Sequence, residues 1–163
     1  MKALMVEFFR DYASIIVFLH VISAFIWVGG MIIIRFAVHP SLQNIQNGSV
    51  KLSVTLEIMQ RLFRLVIPFI AILVITAVFM AIGLAFKGTP LYAIVHVKEA
   101  IWTIMTLNFS YMFIKRDKAQ TLFDNGDMVG AKNILMPIPK ILLPLNIALG
   151  IIALYFGITL RGF

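Results

Sequence analysis

The chain contains no cysteine. That removes disulfides, thiolate metal sites, cysteine-held iron–sulfur clusters and the covalent attachment of a c-type haem. Histidine, methionine and carboxylates remain as metal ligands. Charge is scarce too: 13% of the 163 residues are charged, against about a quarter in soluble domains. Hydrocarbon fills the difference, with 61% hydrophobic residues and a mean hydropathy of +1.00. The chain therefore does not read as a soluble domain.

A bilayer crossing needs about 20 mostly apolar residues. Four segments satisfy that length: about 12–38, 65–86, 91–114 and 139–160. The expected fold is all-α, an integral-membrane four-helix bundle in up-down-up-down order, with one domain over 1–163. The first run is longer than the apolar part of a secretory leader, contains His20 and lacks a small-residue cleavage site, so it reads as a mature helix. The stretch 41–60 predicts a short amphipathic helix after the Asn47-Gly48 turn, and 117–131 a turn-rich loop around Asp124-Asn125-Gly126-Asp127. That acidic turn lacks the ligand spacing of a calcium loop. Lys87-Gly88-Thr89-Pro90 predicts a tight turn, and Pro137, Pro139 and Pro144 predict an irregular start to the last helix.

The net charge of +7 could suggest nucleic acid, but the cations sit at the ends of apolar runs. They read as topology signals and lipid-headgroup contacts, and no nucleic-acid partner is expected. Arg35, Lys51, Arg61, Arg64, Lys115, Arg116, Lys118, Lys132 and Lys140 lie on one side of the spans; Lys2, Arg10, Lys87, Lys98 and Arg161 lie on the other. The richer side predicts the cytoplasm, with both termini periplasmic.

Polar residues inside a membrane are costly and commonly functional. His20, Ala24, Trp27 and Met31 fall along one helical face, with Gly29 and Gly30 on its flank, where a helix or a cofactor can approach closely. The third span carries His96, Lys98, Glu99, Trp102 and Asn108. His96 and Glu99 share a face, while Lys98 points to another flank, from which it can snorkel to the outer interface. His20 lies about 12 Å inside the first span, in the same membrane half as His96; His39 lies about 28 Å further along. His20 and His96 can thus share one metal, whereas His20 and His39 cannot. Two facing imidazoles in a bundle suit a b-type haem, each oriented through its other nitrogen by Ser23, Glu99 or a backbone carbonyl. Copper held with Met31 or Met105 is the competing assignment. Asn146 reads as a packing residue, and Gly150, Ala153 and Gly157 form a small-residue stripe for packing within or between protomers, leaving a homo-oligomer open.

The run "LHVISAFIWVGGMIIIRFAVH" resembles the first motif of the HemJ-type protoporphyrinogen oxidase family, and "HVKEAIW" resembles its third-helix motif. "MQRLFRLVIPFIAILVITAVFMAIG" sits where that family has its basic-apolar approach to the second helix, and "WVGGM" leans towards the CopD copper-resistance membrane proteins of the same broader superfamily. The resemblance implies a haem-b-associated inner-membrane redox protein that oxidises protoporphyrinogen IX to protoporphyrin IX, with quinone or another membrane electron acceptor. It implies iron ligation by His20 and His96, with Trp27 and Gly30 beside the cofactor. Arg35 and Lys98 would meet propionates of haem or substrate, and His39 would shuttle protons; these three are the expected catalytic groups. The Arg35-to-His39 step is four residues, where the family usually has five. The alternatives are a CopD-like copper protein and a non-catalytic membrane subunit with structural histidines.

Overall fold

A computed structural model describes residues 2–84, 88–89 and 91–160, with side chains from residue 4 onwards. All regular structure among them is helical. Helix α1 runs over Lys2–Ile33, bends at Tyr12 (φ −115°, ψ 19°), passes through a π-helical segment at Ile34–Val38 and ends in the turn His39–Leu42. Helix α2 spans Gly48–Gly83 and α3 spans Tyr92–Asp124. Helix α4 is composite: Met128–Leu135, a π-helical segment at Ile138–Leu142, then Leu143–Thr159.

Side-chain caps fix the starts of α2 and α4. Asn47 caps α2, its side-chain oxygen accepting the N–H groups of Ser49 (3.0 Å) and Val50 (3.1 Å). The amphipathic helix expected near 41–60 starts there, but it is not separate. Nothing between Gly48 and the apolar span breaks a helix, so α2 continues unbroken for 36 residues, with Pro68 inside it. At 1.5 Å per residue it is about 54 Å long, against a hydrocarbon core of about 30 Å. Its first turns therefore project from the membrane. The loop expected over 117–131 contracts in the same way: α3 continues to Asp124, Gly126 makes the turn at φ +83°, and Asp127 caps the next helix by accepting the Gly130 N–H (2.8 Å). The predicted Lys87–Pro90 turn falls largely outside the described residues; Gly88 within it has φ +90°.

The helices pack in cyclic order, α1 on α2, α2 on α3, α3 on α4 and α4 on α1, so α1 and α3 lie across the diagonal. The chain is an all-α integral-membrane four-helix bundle. Helix α1, α2 and the composite α4 are long and apolar enough to cross a bilayer. The expectation that four segments would be apolar enough is corrected at α3: it has ample length, but Lys98, Glu99 and Asn108 within it lower its hydropathy.

Helix association in lipid depends on close packing and interhelical hydrogen bonds. Trp27, Phe63 and Phe109 form an edge-on aromatic cluster, with centroids 5.0 Å apart for Phe63–Phe109 and 6.0 Å for Trp27–Phe109. A Cβ at Gly150 would lie 2.6 Å from Val28 Cγ2, so the small-residue stripe of α4 is used inside the protomer, against α1. Asn146 is fully buried and clamps α3 to α4. Its Oδ1 accepts from Asn108 Nδ2 (2.7 Å) and its Nδ2 donates to the Met105 carbonyl (3.1 Å), while Asn108 also donates to the Leu142 carbonyl (2.8 Å). This is the packing role expected of Asn146.

The two π-helical segments share one pattern. Each has five residues, then a cap whose N–H reaches the first residue of the segment, then a proline: Ile34–Val38, His39 and Pro40 in α1, and Ile138–Leu142, Leu143 and Pro144 in α4. A proline ring inside a helix clashes with the carbonyl four residues back, and the wider π turn relieves that clash. The same relief explains why His39, although it precedes a proline, which disfavours helical backbone, is helical at φ −59°, ψ −45°.

Candidate functional site

Helix α3 carries a buried stripe at three- and four-residue spacing: Ile101, Met105, Phe109, Met112, Arg116 and Ala119. Extended one step towards the N-terminus, the stripe reaches Lys98. This side chain is half-buried, and its Nζ lies 3.3 Å from where a Cβ on Gly157 of α4 would stand. The missing side chain at Gly157 leaves the ammonium its space. Across the diagonal, half-buried His20 of α1 directs Nδ1 at Thr76 Oγ1 of α2, 3.0 Å away. Lys98 is close enough to His20 to act on it electrostatically. Each of the four helices thus contributes to one polar locus near one end of the bundle. Among the described residues Lys98 has no hydrogen bond or ion pair.

His96 does not join this locus. Two residues before Lys98 on an α-helix, it is rotated by about 200° and faces the other way. Its side chain is 54% exposed, its Nδ1 contacts Glu99 Oε2 at 2.8 Å, and Tyr92 packs edge-on against the ring at 4.4 Å. Glu99 therefore orients His96 as expected, but the expected pairing of His96 with His20 within one protomer is corrected: packing turns Lys98 inward and His96 outward. Ser23 does not orient His20, because its hydroxyl donates to the Leu19 carbonyl (2.6 Å).

The other expected site residues lie apart. Trp27 is buried against Phe109, and its indole N–H has no acceptor among the described residues. A Cβ at Gly30 would stand 3.0 Å from Leu62 Cδ1, which places Gly30 in the α1–α2 contact. Arg35 sits in the π-helical segment with its guanidinium 5.6 Å from the Phe36 ring centroid, and half-buried His39 follows it at the end of α1. Both are far from His20, at the opposite end of the bundle. Met31 and Met105 are core residues, and no group of three or more His, Asp or Glu among the described residues could hold a metal ion.

Arg116 was missed as a special residue, being counted only as a topology cation. It is 4% exposed. Its Nε donates to the Leu56 carbonyl (3.2 Å), Nη2 to Gln60 Oε1 (3.1 Å) and Gln120 Oε1 (2.8 Å), and Nη1 to Asp117 Oδ1 (3.3 Å). The signal was its place on the apolar stripe of α3. Thr76 was missed because a lone threonine in an apolar run gives no sign of its partner. Compared with known proteins, the chain matches no family model, no curated protein and no solved structure.

Proposed function

We propose that the chain is a haem-b-binding redox protein of the bacterial cytoplasmic membrane that oxidises protoporphyrinogen IX to protoporphyrin IX. The observation that carries this reading is the convergence of His20 and Lys98 from diagonal helices on one membrane-embedded locus. An anchored imidazole supplies an axial iron ligand. An ammonium without a protein acceptor suits a propionate of the haem or of the substrate. These residues fit a haem held by one histidine of the protomer, not one clamped between His20 and His96. When bound, the haem would supply electron transfer from the porphyrinogen towards quinone or another membrane acceptor.

In this reading the end rich in lysine and arginine faces the cytoplasm, and both termini and the His20–Lys98 locus lie towards the periplasm. Arg35 and His39 are then at the cytoplasmic end, where they contact lipid headgroups or move protons rather than touch a porphyrin bound at His20.

The test is an oxidised and dithionite-reduced absorption spectrum of the purified full chain, with pyridine haemochrome and metal analysis on the same sample. A b-type spectrum is expected, with haem content falling by about 10-fold or more in His20→Ala and retained in His96→Ala. Anaerobic porphyrinogen turnover is expected to fall in Lys98→Met with haem still bound. Stoichiometric copper without haem, or unchanged haem in His20→Ala, would overturn the assignment.

A further inference from the structure

The Thr76 hydroxyl is a positioning group whose hydrogen-bond count constrains His20. Thr76 is 5% exposed, and its Oγ1 lies 2.7 Å from the Ile72 carbonyl and 3.0 Å from the Leu73 carbonyl of its own helix. A hydroxyl has one proton, and both carbonyls are acceptors only, so donation to either spends that proton on the α2 backbone. Towards His20 the oxygen can then only accept. In that arrangement the imidazole nitrogen 3.0 Å away, Nδ1, is the one that carries the hydrogen.

We propose that Thr76 locks His20 in the Nδ1–H tautomer and so keeps Nε2 as a free lone pair. The backbone of α2 thereby selects which nitrogen of an α1 side chain can bind a ligand, a role usually filled by a carboxylate or carbonyl behind a metal-bound histidine. That Nε2 ligates haem iron rests on the function proposed above; the tautomer does not.

The experiment uses the full chain in lipid bilayers, labelled with ¹⁵N-histidine and held alkaline enough that imidazoles are neutral. The His20 signals are assigned by their loss in His20→Asn. Protonated Nδ1 and unprotonated Nε2 are expected in the wild type and in Thr76→Ser, which keeps the hydroxyl. In Thr76→Val, which keeps the shape, the Nε2–H form is expected to appear. A wild-type His20 carrying its proton on Nε2 would overturn the proposal without any variant, as would an unaltered tautomer in folded Thr76→Val. Haem retention gives a separate reading: about 10- to 100-fold weaker binding is expected in Thr76→Val, restored in Thr76→Ser. Absence of haem throughout, with the tautomer shifting as expected, would defeat the haem assignment and leave the tautomer lock intact.

Discussion

Lys98 and Arg116 occupy the same inward stripe of α3, 18 positions and about 27 Å apart, yet their surroundings are opposite. Arg116 has an acceptor for Nε, Nη1 and Nη2, drawn from α2 and α3. Lys98 has no such acceptor among the described residues, lies within electrostatic reach of His20 and occupies the gap left by a glycine. A cation with its hydrogen bonds made is a structural rivet. One without them raises the energy of the fold unless something outside the chain completes it. The bundle thus has a closed end and an open end, and substitutions should separate them.

The largest effect is expected at the closed end. Arg116→Ala removes the link between α2 and α3 and strips the Leu56 carbonyl of this donor. It should destabilise the detergent-solubilised protein by about 3 kcal/mol, since hydrogen bonds to charged groups contribute about 1.5–3 kcal/mol each and some of these acceptors can rehydrate. Thermal unfolding followed by circular dichroism measures it, and a loss below that of Gly150→Ala would break the comparison. Gly150→Ala should cost about 1–3 kcal/mol by driving a methyl group into Val28 of α1. Asn146→Leu should cost about 1–2 kcal/mol, a typical upper range for interhelical hydrogen bonds in lipid, read in the same unfolding assay.

At the open end the sign should change. Lys98→Met should leave stability unchanged or raise it by up to about 1 kcal/mol, because an apolar side chain replaces an unpaired ammonium in the same slot. Destabilisation as large as that of Arg116→Ala would mean that Lys98 is structural after all. The smallest effect belongs to Gly157→Ala. A methyl 3.3 Å from the Lys98 ammonium should cost only a few tenths of a kcal/mol while displacing that group, so acylation of Lys98 by an amine-reactive reagent should change more than the melting temperature.

Much of the fold was legible because apolar runs specify helices and short connections specify antiparallel neighbours. Continuity was harder to read. Lys51, Gln60, Arg61 and Arg64 make the first half of α2 look like a connection, although no residue there interrupts backbone hydrogen bonding. At the site, spacing showed that His96 and Lys98 face apart, but with polar residues on both flanks the expectation turned His96 inward, towards His20. The stripe Ile101–Met105–Phe109–Met112 resolves the inward choice in favour of Lys98. Thr76 was beyond reach for another reason: its meaning lies in a contact across 56 positions of sequence, which no local periodicity encodes.

The paired π-helical segments give the molecule a rotational bookmark. Each shifts hydrogen bonding from i→i+4 to i→i+5, so the helix beyond it is out of phase, by about one residue's 100°, with the helix before it. Residue spacing across Ile34–Val38 or Ile138–Leu142 therefore stops being a measure of direction. Deleting one residue within Ile34–Val38, and so restoring ordinary α-helical winding, would cancel that offset and leave the last stretch of α1 near its present azimuth. Rewinding the segment as ordinary α-helix with all its residues kept would instead turn it as a key turns in a lock, swinging His39 by about 100° while His20 stayed where it is. Related chains are thus best aligned by helical phase, with each segment counted as a single hinge pin rather than as five interchangeable letters.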